Sequence, residues 1–428
     1  MSRNLTSCAV AFAAVAALGL SACSTKAADD STGGGSGSGG SGSAGVKTDI
    51  GVTASEITLA ALTDTSGVFK VLGLGITQGN QMWADDVNKT GGICGRKIKI
   101  TTHDTGYSAE KAVPLYSKLK ADNLGMIQLI GSPTLAALKK PLTDDKIAAI
   151  PASWASTNLD VPNVVMIGPT YDIESINGLS RLQSQGKIKD GDTIGHIYVD
   201  SEYGKNGALG TKYYASKHKM KVVEATVTST ESDLTAAVTK LKAGGVKAFL
   251  LTTTPAQTAS AVGVATAQGL NVPIHGSGPT FTPQLLDTPV AAALMSGRYT
   301  TDAPQLPVQS DNPKVKEISA AFKKAHPGQV ETYGPILGYA SGLVWGSILK
   351  QACSDGDLTR AGVLAAVRKT TVDTQGLTPP LDFTKPGQPS SRSMFLMVPA
   401  KVPGGLKLVQ TEPYVSPDAQ TYKTPFQK

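Results

Sequence analysis

The chain has 428 residues and a formal net charge of +7. Its basic residues are scattered in small groups, as at Lys97 and Lys99, Lys139 and Lys140, Lys217 to Lys221, and Lys323 and Lys324, and aromatic residues make up only 5% of the chain. With no basic block and few stacking side chains, a nucleic-acid partner is excluded as a working hypothesis.

The first residues read as an export signal. Arg3 precedes an almost wholly apolar run from Ala9 to Leu20. Such a run has the length of a signal-peptide core and is too short to cross a bilayer. It ends at Leu20-Ser21-Ala22-Cys23, which resembles the lipobox of bacterial lipoproteins. Residues 1–22 are therefore expected to be removed and Cys23 to be lipidated, holding the protein on the outer face of the cell membrane. The alternative is an ordinary secretory signal cut near Ala22. Residues 23–45 are rich in Gly and Ser and cannot build a core. They read as a flexible leash with a mean reach of roughly 25 Å and an extended reach of about 75 Å.

The remaining body, about 380 residues, is too long for one comfortable core and predicts two domains. No later apolar run approaches a membrane span. From Ile57 onward, short apolar runs alternate with amphipathic stretches. Strands are expected at 57–62, 97–103, 125–130 and 147–151, with helices around 72–87, 108–121 and 134–145. Pro114 is expected to distort its helix. The rhythm continues with strands at 164–168, 193–199, 221–227, 248–252 and 273–277, and helices at 172–185, 202–218, 234–243 and 255–268. Helices follow one another at about 313–326, 333–352 and 359–369, and a closing hairpin spans 394–398 and 406–410. Alternation of this kind predicts parallel sheets with crossover helices. Two such α/β lobes place the default ligand site between them, beyond the C-terminal ends of their strands.

The segment 51–113 carries a resemblance. Its Ser-Gly loop after the first strand, its helix ending at Asn88 and Gly91-Gly92-Ile93, and Gly95-Arg96 before the next strand are similar to the opening of Leu/Ile/Val-binding-type proteins. "EYGKNGA" (202–208) and "GYASGLVWGSILKQA" (338–352) extend the similarity over nearly the whole body. The resemblance implies a type I periplasmic binding protein: two Rossmann-like lobes with parallel central sheets, joined by a hinge the chain crosses three times. It implies lobe 1 at 46–168 and 303–376, and lobe 2 at 169–302 and 377–428. It also implies capture of one small ligand, delivery to an ABC permease, no cofactor and no catalysis. The late helix of this fold lies in the first lobe, which brings Cys94 and Cys353 into one lobe and suggests a disulfide between them.

The resemblance implies ligand contacts in two first-lobe segments. One is "GSPTLAA" (131–137), with Ser132 and Thr134. The other is "PASWAST" (151–157), with Ser153, Trp154, Ala155 and Ser156. Hydroxyls and helix N-termini bind carboxylates without a full charge, but the same residues also cap helices. Tyr203 is the second lobe's counterpart, and Phe69 and Phe281 are candidate apolar walls. One departure matters. Leucine-type members carry a glutamate for the ligand's ammonium in the segment matching "HGSGPTF" (275–281), and this chain has no acid there. Asp64 is the nearest substitute. A branched-chain or related amino acid is the leading ligand by a small margin, with amides and short or aromatic carboxylates still open.

Enzymatic readings are weaker. "HGSG" (275–278) suggests an oxyanion loop, but the body has no G-x-S-x-G elbow. "GLGITQG" (73–79) misses the dinucleotide spacing, and no His/Cys pair sits at metal-ligand spacing. A ligand sensor signalling to a membrane partner is the non-enzymatic alternative.

Overall fold

The structure, a computed structural model, describes residues 45–427. The leader, Cys23 and most of the Gly/Ser tract lie outside the described residues. The first sheet contains β1 (Glu56–Thr63), β2 (Lys97–Asp104), β3 (Gly125–Ile130) and β4 (Ala149–Ala152). Its order is β2-β1-β3-β4 and every pairing is parallel. Helices α1 (Lys70–Lys89), α2 (Ala109–Leu119) and α3 (Ser132–Asp144) make the crossovers. Every residue of β3 is buried, as expected for a strand covered on both faces. Its one strongly polar side chain, Gln128, donates to Thr63 Oγ1 at 2.9 Å and accepts from Thr77 Oγ1 at 2.8 Å.

The second sheet takes its strands from further along the chain. Helix α4 (Tyr171–Ser184) leads into β5 (Thr193–Val199), α5 (Glu202–Lys217), β6 (Lys221–Val227), α6 (Thr235–Ala243) and β7 (Ala248–Thr252). Then come α7 (Pro255–Ala267), β8 (Ile274–Gly276) and β9 (Tyr299–Ala303). After α8 (Pro313–Ala325), α9 (Gly334–Ser354) and α10 (Arg360–Val367), β10 (Phe395–Pro399) and β11 (Leu406–Leu408) complete it. The order is β11-β10-β9-β8-β7-β5-β6. The β5, β6, β7, β8 and β9 ladders are parallel, and the closing hairpin adds two antiparallel pairings at one edge.

Helix α9 packs along α1 on the first sheet. The contact is backbone on backbone: a Cβ at Gly338 would lie 2.0 Å from Ile76 O, and one at Gly79 would lie 2.1 Å from Pro335 O. Glycine is required at both positions for the helices to approach this closely. A disulfide joins Cys94, just past α1, to Cys353 near the end of α9, with Cα atoms 6.4 Å apart.

Two elements differ from the sequence-based expectation, and the helix containing Pro114 forms as expected. Residues 164–168 form no strand; Val164 makes a single bridge to Ala149. Their apolar side chains are buried because this run is the first passage between the sheets, and Gly168, with φ +97°, turns it there. Conversely, β9 had no apolar run to announce it. Its Thr301 and Asp302 are fully buried, and Asp302 Oδ2 accepts from His275 Nε2 at 2.9 Å. Helix α2 runs on through Pro114, whose missing N–H withholds only one bond from Glu110 O.

The hinge passages are tied together. Ser390 Oγ accepts from the Gly168 N–H at 3.0 Å and donates to Met166 O at 2.6 Å. Pro304 packs against Gly168. Leu377 and Phe383 pack in the same apolar cluster as the first sheet's core.

Candidate functional site

The C-terminal ends of both sheets supply loops that meet. From the first sheet, β1 leads to Phe69, β2 to Tyr107, β3 to Ser132 and β4 to Ser153. From the second, β5 leads to Tyr203 on α5, and β8 leads to Ser277 and Pro279. Tyr171, the first residue of α4, closes the floor.

The aromatic rings pack in a chain. Phe69 lies 4.8 Å from Tyr107 and 6.2 Å from Tyr203, and Tyr203 lies 4.7 Å from Tyr171 (ring centroids). With Leu72, Ile130, Ser132, Ala152 and Pro279 they enclose an inner cavity of about 10 Å³, room for a single water at most. The facing walls are thus in contact. No charged side chain lines this cavity. Outside it lies a vestibule of about 330 Å³ that shares Phe69, Leu72 and Pro279 with the inner cavity.

The loop carrying Phe69 is fixed by two carboxylates. Asp64 Oδ1 accepts from the N–H groups of Ser66 (3.2 Å) and Gly67 (2.5 Å), and Oδ2 from that of Phe69 (2.9 Å). Asp64 is thereby committed to backbone and is not available as an ammonium partner. Burial opposes the charge of Asp104, yet hydrogen bonds from Thr65, Ser66 and Gly106 hold its pKa down to about 2.

The polar face of the cavity is built at the start of α3. Its N-cap is Gly131, at φ +105°, which has no side chain to cap the helix. Ser132 Oγ and Ser153 Oγ share a 2.7 Å hydrogen bond. Thr134 is fully buried beside Gly131, and its Oγ1 has no hydrogen-bond partner. Helix N-termini present unpaired N–H groups and favour negative charge. Here they stand with hydroxyls and without a cap from the N-cap residue, and the Ser132 N–H donates to the Tyr107 hydroxyl. Across the cleft, the Tyr203 hydroxyl bonds Ser277 Oγ at 2.7 Å and donates to Thr253 O at 3.2 Å. Burial pushes the Tyr203 phenol well above its ordinary pKa, so it stays protonated and a donor.

The other residues expected at the site are placed as follows. Phe281 lines the vestibule, not the inner cavity. Trp154 donates Nε1–H to Ile167 O at 2.6 Å and sets its ring edge-on to Tyr171. Ala155 is buried at the start of a short 3₁₀ turn. Ser156 donates to Asp172 Oδ2 at 2.7 Å within a buried network that includes Asn206 and Tyr422. Trp154, Ala155 and Ser156 therefore support the cleft from behind. Tyr107, Tyr171, Leu72, Ile130 and Pro279 were not anticipated. The strand-end rule nominates Tyr107, three residues past β2 and at φ +61°, an uncommon conformation for a non-glycine residue.

Behind the floor are acids that the sequence did not flag. Glu174 on α4 is 2% exposed, and its Oε2 has no hydrogen-bond partner. Burial, then the neighbouring charges of Asp302 and Asp172, raise its pKa well above the ordinary carboxylate range. Burial also raises Asp302, with the His275 hydrogen bond opposing.

The sequence profile of the family described as periplasmic binding protein matches residues 56–401. The chain belongs to the periplasmic binding protein family. Its fold is that of the type I members. The structure of a fatty acid ABC transporter substrate-binding protein from Thermomonospora curvata is 35% identical, with a TM-score of 0.86, and the match covers 90% of this chain and 98% of that one. A branched-chain amino acid ABC transporter protein from Thermus thermophilus with bound valine is 16% identical, with a TM-score of 0.73 and coverage of 86% and 98%. A leucine-binding protein from Thermotoga maritima is 15% identical, with a TM-score of 0.71 and coverage of 84% and 99%. These last two share the fold. A search of the curated proteins finds no match.

Proposed function

We propose that this periplasmic binding protein is the substrate-binding component of an ABC importer. It captures a small carboxylate with an apolar body and performs no chemistry on it. The carboxylate sits at the N-terminus of α3 against Ser132, Thr134 and Ser153, and the body lies among Phe69, Tyr107, Tyr171 and Tyr203. The observation that carries this reading is the pairing of an uncapped helix start, with a buried unpartnered Thr134 hydroxyl, and a lining of apolar and aromatic side chains without charge. A carboxylate is satisfied by such donors. An ammonium would find no partner in the lining, and burying it unpaired is costly. The 35% identical relative bears the name of a fatty acid substrate-binding protein, which fits the same chemistry.

A second reading rests on Glu174. Its unpartnered oxygen behind Tyr171 and Tyr203 is a candidate ammonium partner, which favours a zwitterionic amino acid. Thermal-shift screening separates the two. At a hundredfold the dissociation constant, a ligand stabilises by about 2.7 kcal/mol. Straight-chain and aromatic carboxylates are expected to do so; stabilisation by amino acids alone overturns the first reading in favour of the second.

We also infer that Cys23 anchors the protein outside the cell through the tract at 24–45. Cys23→Ser is expected to release it into the medium, and retention on the membrane would refute the anchor. Loss of solute uptake on deletion supports import over sensing, and unchanged uptake counts against it.

A further inference from the structure

The inner cavity and the vestibule are neighbours. Three apolar residues, Phe69, Leu72 and Pro279, line both. Beyond them the vestibule walls are Val68 and Val71 from the first lobe and Ala256, Phe281 and Leu285 from the second. The far wall of the cavity is therefore three apolar side chains with a second apolar space behind them, which an alkyl chain reaches when those side chains part.

Resting on the carboxylate reading above, we propose that the vestibule is the tail subsite of an unbranched alkyl chain, which runs from the α3 N-terminus past Phe69, Leu72 and Pro279 and out along Val71, Ala256 and Leu285.

Orientation follows from the two helix starts. Helix α7 begins at the vestibule, but its N-terminus is already occupied. Thr254 Oγ1 accepts from the Gln257 N–H, and Gln257 Oε1 accepts from the Thr254 N–H, a complete capping box. Helix α3 has no such cap, and Thr134 Oγ1 stands unpartnered beside it. The head therefore belongs inside and the tail outside. Lys70, exposed at the vestibule rim, is the one charged side chain on the path, and its methylenes extend the apolar wall.

The length dependence follows. Each methylene that replaces contact with water by full burial tightens binding about fourfold. Chain atoms in the inner region should show this increment, and those in the open vestibule about half of it in free energy, or roughly twofold each. Beyond the mouth the increment falls to nothing, with no loss of affinity for longer chains.

The test is calorimetric titration of the whole soluble chain with saturated monocarboxylates from butyrate to palmitate. Wild type is expected to show a steep rise, then a shallower one through octanoate and decanoate, then a plateau. Ala256 is exposed on α7, so Ala256→Trp fills the vestibule with little effect on folding. It should weaken laurate about tenfold, equivalent to some two buried methylenes, and leave butyrate unchanged. A rise in affinity that stops at hexanoate overturns the tail subsite alone. So does an Ala256→Trp effect equal at every length. Loss of laurate binding in Lys70→Met with none in Ser132→Ala places the head outside and also overturns it. If no carboxylate binds wild type at all, the carboxylate reading and the tail subsite fall together.

Discussion

Thr134→Val separates a ligand-binding hydroxyl from a structural one. The side chain is fully buried at the third residue of α3, and its oxygen makes no hydrogen bond. An unsatisfied buried polar group costs about 1–3 kcal/mol. Valine has nearly the same shape and no such group, so the ligand-free variant should be more stable by about 1 kcal/mol or more. Binding should move the other way. A hydrogen bond to a charged group is worth about 1.5–3 kcal/mol, so losing it weakens a carboxylate roughly tenfold to a hundredfold. Nothing is given up when Thr134 turns to the ligand, so its loss should fall at the upper end of that range.

Ser153 provides the contrast. Its hydroxyl is already bonded to Ser132 at 2.7 Å, so a ligand exchanges one bond for another. Ser153→Ala should weaken binding only a few-fold and destabilise the ligand-free protein by about 1 kcal/mol, because Ser132 loses its partner. Urea unfolding without ligand and calorimetric titration with octanoate measure both quantities. If Thr134→Val destabilises the ligand-free protein, the hydroxyl is structural. If it binds octanoate as tightly as wild type, the assignment of the α3 N-terminus is refuted.

Cys353→Ser removes a bridge spanning 259 residues and should lower stability by about 3–5 kcal/mol, read from urea midpoints under oxidising conditions. His196 is buried between Thr211 Oγ1 (2.8 Å) and Thr252 Oγ1 (3.0 Å), and burial lowers its pKa from 6.5 to about 3. The unfolded chain therefore binds the extra proton between these values, and stability falls as pH drops below 6.5. From pH 7 to pH 5 wild type should lose about 2 kcal/mol more than His196→Gln; equal losses would show that His196 does not titrate this way. Glu174 acts in the opposite sense. Its folded pKa is raised above the ordinary 4.5, so the native state holds the proton and stability declines as pH rises from 4.5 toward the raised value. Glu174→Gln should remove a slope of at most about 1.4 kcal/mol per pH unit, and an unchanged pH profile would place the charge elsewhere.

Most of the fold was legible because each parallel strand is a short apolar run between amphipathic helices. The exceptions have physical causes. Residues 164–168 read as a strand because they are buried, yet burial came from a hinge passage. Strand β9 was invisible because its buried positions hold Thr301 and Asp302, whose Oγ1 and Oδ2 atoms bond partners distant in sequence. The candidate site was legible where it depends on local chemistry: Ser132, which lines the inner cavity, stands with Thr134 at a strand-to-helix junction that can be read from the chain. Tyr107 and Tyr171 were not legible as a pair, because only the hinge brings the loop after β2 opposite the start of α4. The acids were overlooked for the same reason. Glu174 lies on a helix face that in isolation reads as polar, and its isolation from water is a property of the assembled lobes.

The absence of charge from the lining bears on how such a protein both holds and releases its ligand. An ion pair would fix the head tightly in either lobe and would resist opening of the cleft. On the carboxylate reading, hydroxyls and helix N–H groups on the first lobe would hold the head with a modest gain, and water would replace them when the lobes part. On the same reading the larger share of affinity would come from the apolar body, held where Tyr203 and Pro279 of the second lobe meet Phe69 and Leu72 of the first. Closing and binding thereby depend on the same surfaces. A ligand long enough to touch both lobes shifts the equilibrium toward closure, since only differential contact with the two states can do so. A permease that separates the lobes removes that contact and frees the ligand without having to break a salt bridge.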